Sequence, residues 1–240
     1  MTADPKSLAR EAFAGTERCL SSGAIIERYA TDVEEITATL LDALRPERQG
    51  ARVCELGFGL GWLLEAMAGA YPDAELWGLD LSPGMTSHVR GRLGSRATLV
   101  QGDIERLPFS GGAFDVVATC WTLYFMRDID AALEEIKRTL RPGGRLVAAT
   151  VAPDNGVELD ELTSSAAGPL NVQTENVGVV HRFDLESAGP YVRRHFAGVE
   201  LREWRGWLEL PDVSTLVRFW EGMYGPVLSG DAVGRVRPEI

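Results

Sequence analysis

From residue 51 to residue 151 short β-rich runs ending in Gly or Asp alternate with stretches of helical spacing. Parallel strands need a crossover long enough to hold a helix, so this alternation argues for a parallel sheet with helices on both faces. The strand-like runs are 52–56, 74–80, 97–100, 114–120 and 145–151. The fourth is almost continuously apolar, as expected of a strand buried on both faces. Helices are expected at 60–70, after the cap and first-turn proline of Ser82-Pro83, and at 129–140, stopped by Arg141-Pro142-Gly143-Gly144.

The flanks lack this rhythm. Residues 7–20 and 24–44 carry helical spacing, the second with Ile25, Tyr29, Val33, Ile36, Leu40 and Leu44 on one face. Residues 153–180 are a loop-rich insertion with a short helix near 157–165. A helix over 183–196 must kink or restart at Gly189-Pro190, 199–210 is strand-like with a break at Gly206, and 213–223 is a last helix. One domain over 1–240 is expected: a helical lid at 1–46, a core at 50–151, and an acceptor-side insertion with the rest of the sheet at 152–240.

Composition narrows the function classes. With 240 residues, 45% hydrophobic, the chain can bury a core without disulfides or structural metal. Its 24 Lys and Arg against 35 Asp and Glu give a net charge of −11, which disfavours nucleic acid as a partner. Cys19, Cys54 and Cys120 are odd in number and widely spaced, with no C-x-x-C, which suits reduced thiols and shows no zinc site. The longest apolar run, 116–126, is well short of the ~20 residues that span a bilayer, and the start lacks a basic then apolar leader. No membrane partner and a cytoplasmic location are expected.

Glu55-Leu56-Gly57-Phe58-Gly59-Leu60-Gly61 falls where the first strand meets its helix, at the strand end where open parallel sheets bind ligands. Glycine at alternate positions lets backbone approach a ligand and bares the first N–H groups of the helix. The dinucleotide fingerprint G-x-G-x-x-G is not met: the position three after Gly59 is Trp62, which counts against a nicotinamide oxidoreductase. Asp80 ends the second strand, where a carboxylate can accept both hydroxyls of a ribose. Asp103 ends the third, where it can accept from an adenine amino group. Each alone reads as a cap or loop carboxylate; three acidic strand ends together are harder to dismiss.

These segments resemble a family. The runs 53–61, 78–85 (Gly-Leu-Asp-Leu-Ser-Pro-Gly-Met), 102–109 (Gly-Asp-Ile-Glu-Arg-Leu-Pro-Phe), 114–117 and 140–146 are similar, in order and at ordinary spacing, to the motifs of class I S-adenosylmethionine-dependent methyltransferases. The likeness covers residues 50–150 and is to the small-molecule, natural-product and ubiquinone-biosynthesis type. It implies an α/β, doubly wound, mostly parallel seven-stranded sheet with its last strand antiparallel, and S-adenosylmethionine as cofactor. It also implies that Glu55, Gly57, Phe58, Gly59 and Gly61 hold the methionine moiety, Asp80 and Leu81 the ribose, Met85 an adenine face, Gly102, Asp103 and Ile104 its edge, and Cys120 with Trp121 the floor beneath the sulfonium. The region after residue 150 identifies no subfamily, and either the last sheet strands are short or the chain is shortened.

In such an enzyme the cofactor is already an electrophile, so the protein mainly holds a nucleophile in line. A phenol, alcohol or acidic carbon would need a base, and His is the side chain tuned for that near neutral pH. His88 and His195 read as surface residues. His181, beside the insertion, is the candidate base, against a plain loop histidine. Tyr124, after the fourth strand, is the second polar candidate. Tyr29 on the lid is weighed as a cofactor contact against core packing. Arg182 and Arg194 read first as surface charge. The expected acceptor is a small molecule of secondary metabolism carrying an O, N or C nucleophile, and a homodimer is left open. A cofactor-binding scaffold, or a catalyst of a non-methylating reaction, is the alternative.

Overall fold

The computed structural model describes residues 4–13, 16–170, 177–224 and 232–237. Five strands form one sheet: β1 (Arg52–Leu56), β2 (Glu75–Asp80), β3 (Ala97–Gln101), β4 (Phe114–Cys120) and β5 (Leu140–Ala149), in the spatial order β3-β2-β1-β4-β5 and parallel throughout. Helices α4 (Trp62–Ala70), α5 (Pro83–Leu93) and α6 (Ile129–Thr139) form crossovers between strands. The chain runs outward from β1 to β3 and then returns to lay β4 against β1. The topological switch, and with it the expected ligand crevice, therefore lies at the carboxyl ends of β1 and β4.

Two apolar layers hold the sheet, one on each face. Leu133 and Ile136 of α6 pack with Cys54, Leu56, Leu79 and Val117. On the other side Leu40 and Leu44 join Leu63, Leu64 and Met67 of α4, Val89 of α5, and Val53, Leu76 and Val116. Val53 and Val116 face one layer and Cys54 and Val117 the other, as the two-residue period of a strand requires. Each large side chain removed from water here contributes roughly 1.5–3 kcal/mol.

The amino-terminal flank differs from expectation. It holds three helices, α1 (Pro5–Ala12), α2 (Thr16–Tyr29) and α3 (Val33–Leu44), where two were expected. The break at residues 30–32 comes from a distant segment. Ala30 forms an antiparallel bridge with Leu208, and Thr31 N–H donates to the Trp207 carbonyl at 3.0 Å. Strand β5 starts at Leu140, because a register shift between Phe114 and Val116 lets the Pro142-Gly143 turn ride inside the strand.

The carboxyl-terminal flank also needs correction. Helix α7 (Val157–Ala167) extends past the expected short helix. The helix expected over 183–196 is only α8 (Ala188–His195); Gly189 and Pro190 lie in its first turn, where a missing N–H costs nothing, so they start the helix and do not kink it. Residues 199–210 form no sheet strand. Arg202 reaches Asp42 at 3.1 Å, while Leu201 and Trp207 stay 59% and 70% exposed. A sixth strand and the antiparallel seventh are therefore absent among the described residues. Helices α9 (Val213–Tyr224) and α10 (Ala232–Val236) complete the fold, with Trp220 of α9 buried in a satellite core against α7. No described helix is long and apolar enough to cross a membrane.

Candidate active site

The three loop glycines all have positive φ but for different reasons. At Gly57 (φ +72°) a β-carbon would lie 2.5 Å from Thr122 Cγ2, and at Gly61 (φ +80°) 2.7 Å from Val89 Cγ2, so these two are required by packing inside the protein. At Gly59 (φ +50°) a β-carbon would meet nothing within 4 Å. Gly59 is thus the glycine whose bare face looks onto open space, and left-handed backbone is its only internal demand.

Asp80, 7% exposed, ties this loop down. Its Oδ2 accepts from Gly59 N–H at 2.9 Å and its Oδ1 from Ser82 N–H at 2.8 Å. Burial pushes its carboxyl up, and these backbone N–H groups oppose that. Glu55 is 2% exposed and its carboxyl is pushed to about 8, first by burial and second by the negative charge of Asp80. Glu55 Oε2 is buried without a hydrogen-bond partner. Leu81 is half-buried beside them, while Phe58 and Met85 are buried in the apolar layer with α4 and α5, so their side chains serve the core.

The β4 end closes the crevice. Burial holds the Cys120 thiol well above its usual range. Trp121 takes φ +51°, a left-handed conformation that costs a bulky residue on the order of 1–3 kcal/mol. Its ring lies 5.9 Å from that of Trp62, which is 37% exposed at the start of α4. Thr122 Oγ1 donates to the Cys120 carbonyl at 2.8 Å and stands close against Gly57. At the β3 end, Gly102 N–H donates to the Asp80 carbonyl at 2.9 Å, Ile104 is buried, and the Asp103 carboxylate is engaged by Lys6 of α1. Sequence reasoning passed over Lys6, Trp62 and Thr122. Only the position of Trp62 directly after Gly61 was a signal for it.

The segment that carries His181 packs against the Tyr124 loop after β4. Arg182 Nη1 donates to the carbonyls of Tyr124 and Met126, each at 2.6 Å, and so fastens the His181 segment to the Tyr124 loop; it is not the free surface charge expected. His181 Nδ1 lies 3.3 Å from Asp184 Oδ2. Burial works to raise the Asp184 carboxyl, but the Ser187 N–H and hydroxyl and His181 prevail and hold it below its ordinary value. Tyr124 is buried 4.7 Å from the Phe125 ring, and loss of solvation pushes its phenol far up. Tyr29, half-buried at the end of α2, gives its carbonyl to Glu209 N–H at 3.0 Å. The surface reading of His195 is overturned: its side chain is 11% exposed and bonds Asp130 at 2.7 Å. His88 is half-buried with a buried Nε2. No group of three or more His, Cys, Asp and Glu able to hold a metal occurs among the described residues.

A parallel sheet with this crossover loop and these acidic strand ends resembles the cofactor half of class I S-adenosylmethionine-dependent methyltransferases. Residues 54–148 match the family model described as a methyltransferase domain, so the core of the chain is similar to that family. Malonyl-[acyl-carrier protein] O-methyltransferase of Laribacter hongkongensis is 33% identical over 177 residues, covering 70% of this chain and 58% of that protein. The protein of the same name from Legionella pneumophila is 32% identical over 143 residues, covering 58% of this chain and 50% of that one. The chain thus spans about half the length of these curated relatives. A solved structure from Bacillus halodurans, a candidate methyltransferase, is similar with TM-score 0.52 and 21% identity over 70% of both chains, a likeness of fold. The site fits S-adenosylmethionine: the partnerless Glu55 oxygen suits an ammonium group, and the space beside Gly59 suits a ligand pressed against backbone.

Proposed function

We propose that this chain transfers a methyl group to a small-molecule acceptor, with His181 as general base. The observation that carries the reading is the arrangement of Glu55, Gly59 and Asp80 at the topological switch of the sheet. Bound there, the cofactor's sulfonium supplies an electrophilic methyl group. Glu55 and the glycine loop would hold the amino-acid end, Asp80 the ribose hydroxyls through its remaining lone pairs, and the Asp103 edge the adenine. Trp121, held in strained backbone beside Trp62, would line the acceptor side with flat apolar surface.

In this reading Asp184, 3.3 Å from His181 Nδ1, would accept a hydrogen bond from Nδ1–H and leave Nε2 to accept the acceptor's proton. Tyr124 is too apolar in its surroundings to lose its proton, so its part is to wall the site. His181→Ala should lower single-turnover methyl transfer by about 10²–10⁴ with cofactor affinity kept. A loss under threefold would return catalysis to positioning alone.

A second reading, an acyl group carried on a protein, is favoured by the names of the relatives. The two separate in one assay: radiolabelled cofactor offered with a small-metabolite extract, malonyl-[acyl-carrier protein], total RNA, DNA and cell protein. Label in small metabolites is expected, from secondary metabolism or elsewhere. Label confined to the acyl carrier supports the second reading, and label in RNA, DNA or bulk protein overturns both. Label in no fraction would favour a non-methylating role.

A further inference from the structure

We propose that Lys6 is a positioning residue of the cofactor site, joining Asp103 and Glu105 into one acceptor for the adenine amino group and latching α1 over it. The proposal rests on the cofactor reading above. Lys6 is the second residue of α1, yet its side chain is 5% exposed, which an ammonium tolerates only when its donors are spent on partners. They are: Nζ lies 2.9 Å from Asp103 Oδ1 and 2.7 Å from Asp103 Oδ2, and it also meets the Glu105 carboxylate.

Those carboxylates are held from behind. Asp103 Oδ1 accepts from Glu105 N–H at 3.0 Å, and Glu105 Oε1 accepts from Asp128 N–H at 2.7 Å. Asp103 keeps lone-pair capacity and remains 34% exposed, so it can take an N–H from a ligand while holding Lys6. Without the cation, two carboxylates would crowd one loop, and mutual repulsion would turn Asp103 away from the ligand edge.

The same contact fastens the helix. Segment 4–13 is pinned to the loops after three strands: Ser82 Oγ donates to the Phe13 carbonyl at 2.7 Å after β2, Lys6 binds the acids after β3, and Arg127 Nε donates to Asp4 Oδ1 at 2.8 Å after β4. Ala9 is buried in one cluster with Ile104 and Leu107, and the Phe13 ring meets Phe125 edge-on at 5.8 Å. Of these ties, only Lys6 grips the carboxylate that would read the base.

Calorimetric titration with S-adenosylhomocysteine and with its analogue carrying a 6-oxo in place of the 6-amino group tests this. The unaltered protein should prefer the amino ligand. Lys6→Met should weaken that ligand about tenfold, the analogue far less, and so erase the preference. Asp4→Asn, which loosens the segment at another of its ties, should leave the preference intact. Equal losses of both ligands in Lys6→Met, no loss, tighter binding, or erasure of the preference by Asp4→Asn would each overturn the proposal. If Lys6→Met does not fold, Glu105→Gln takes its place: the preference should fall about threefold, and an unchanged preference overturns the idea. If the unaltered protein binds neither ligand, the cofactor reading itself fails. Normal binding that ignores Lys6 removes only the latch.

Discussion

Every residue of β4 is buried, whereas α8 buries none fully: Ala188, Tyr191 and Val192 pack half-buried against the α6 layer, and Arg194 Nη2 pairs with the exposed Asp130 Oδ2 at 2.7 Å. The contrast extends to their surroundings. Residues 51–151 share two apolar layers that no single helix could lose without exposing the sheet. Among the described residues after 152, α7, α9 and α10 keep a small core of their own around Trp220, while Phe183 is buried in the α6 layer and Arg182 ties down the Tyr124 and Met126 carbonyls. An apolar layer is cooperative, while exposed ion pairs contribute little each. The Trp220 core can therefore be altered without undoing the two layers around the sheet.

Breaking the satellite core gives the largest effect. Trp220 is fully buried and its Nε1 donates to Thr163 Oγ1 at 2.8 Å. Trp220→Ala should destabilise that region by about 3–5 kcal/mol, seen as an earlier calorimetric transition, with cofactor affinity unchanged. Lost affinity would show that the two regions are one unit.

Asp80→Ala acts on the other region. It removes the acceptor that fixes Gly59 and Ser82 N–H and any bond to ribose. At about 1.5–3 kcal/mol for each charged hydrogen bond, cofactor affinity in titration should fall at least about tenfold, while the Trp220 core melts unchanged.

Glu55 sharpens the comparison through pH. Its folded value of about 8 lies above the ordinary 4.5, so the native state takes up a proton and stability declines as pH rises from 4.5 to 8. A cationic ligand group favours the ionised form, so affinity should weaken as pH falls below 8, by up to about tenfold per unit. Titrations at pH 6, 7 and 8 check this, and Glu55→Gln should flatten the profile.

Gly59→Ala gives the smallest structural effect. Its β-carbon meets only open space, so stability should drop by about 1 kcal/mol for the backbone angle, measured by denaturant unfolding. Cofactor affinity should fall disproportionately. If it does not, the ligand does not press on this loop.

Periodicity alone determined the parallel sheet, because each strand and helix of residues 51–151 carries its own apolar pattern and turn signals. It placed β1 and β4 to the residue, and it singled out Glu55, Asp80 and Asp103 because ligand crevices follow from strand ends. It did not separate the glycines. Gly57 and Gly61 answer to Thr122 and Val89, which are distant in the chain, and only Gly59 faces space. Nor did it foresee that Ala30 would leave its helix to bridge Leu208, that residues 199–210 would stay out of the sheet, or that Lys6 would reach Asp103. Local pattern records which side of an element is apolar. The partner across that side is set by packing, which brings together residues that no spacing along the chain relates.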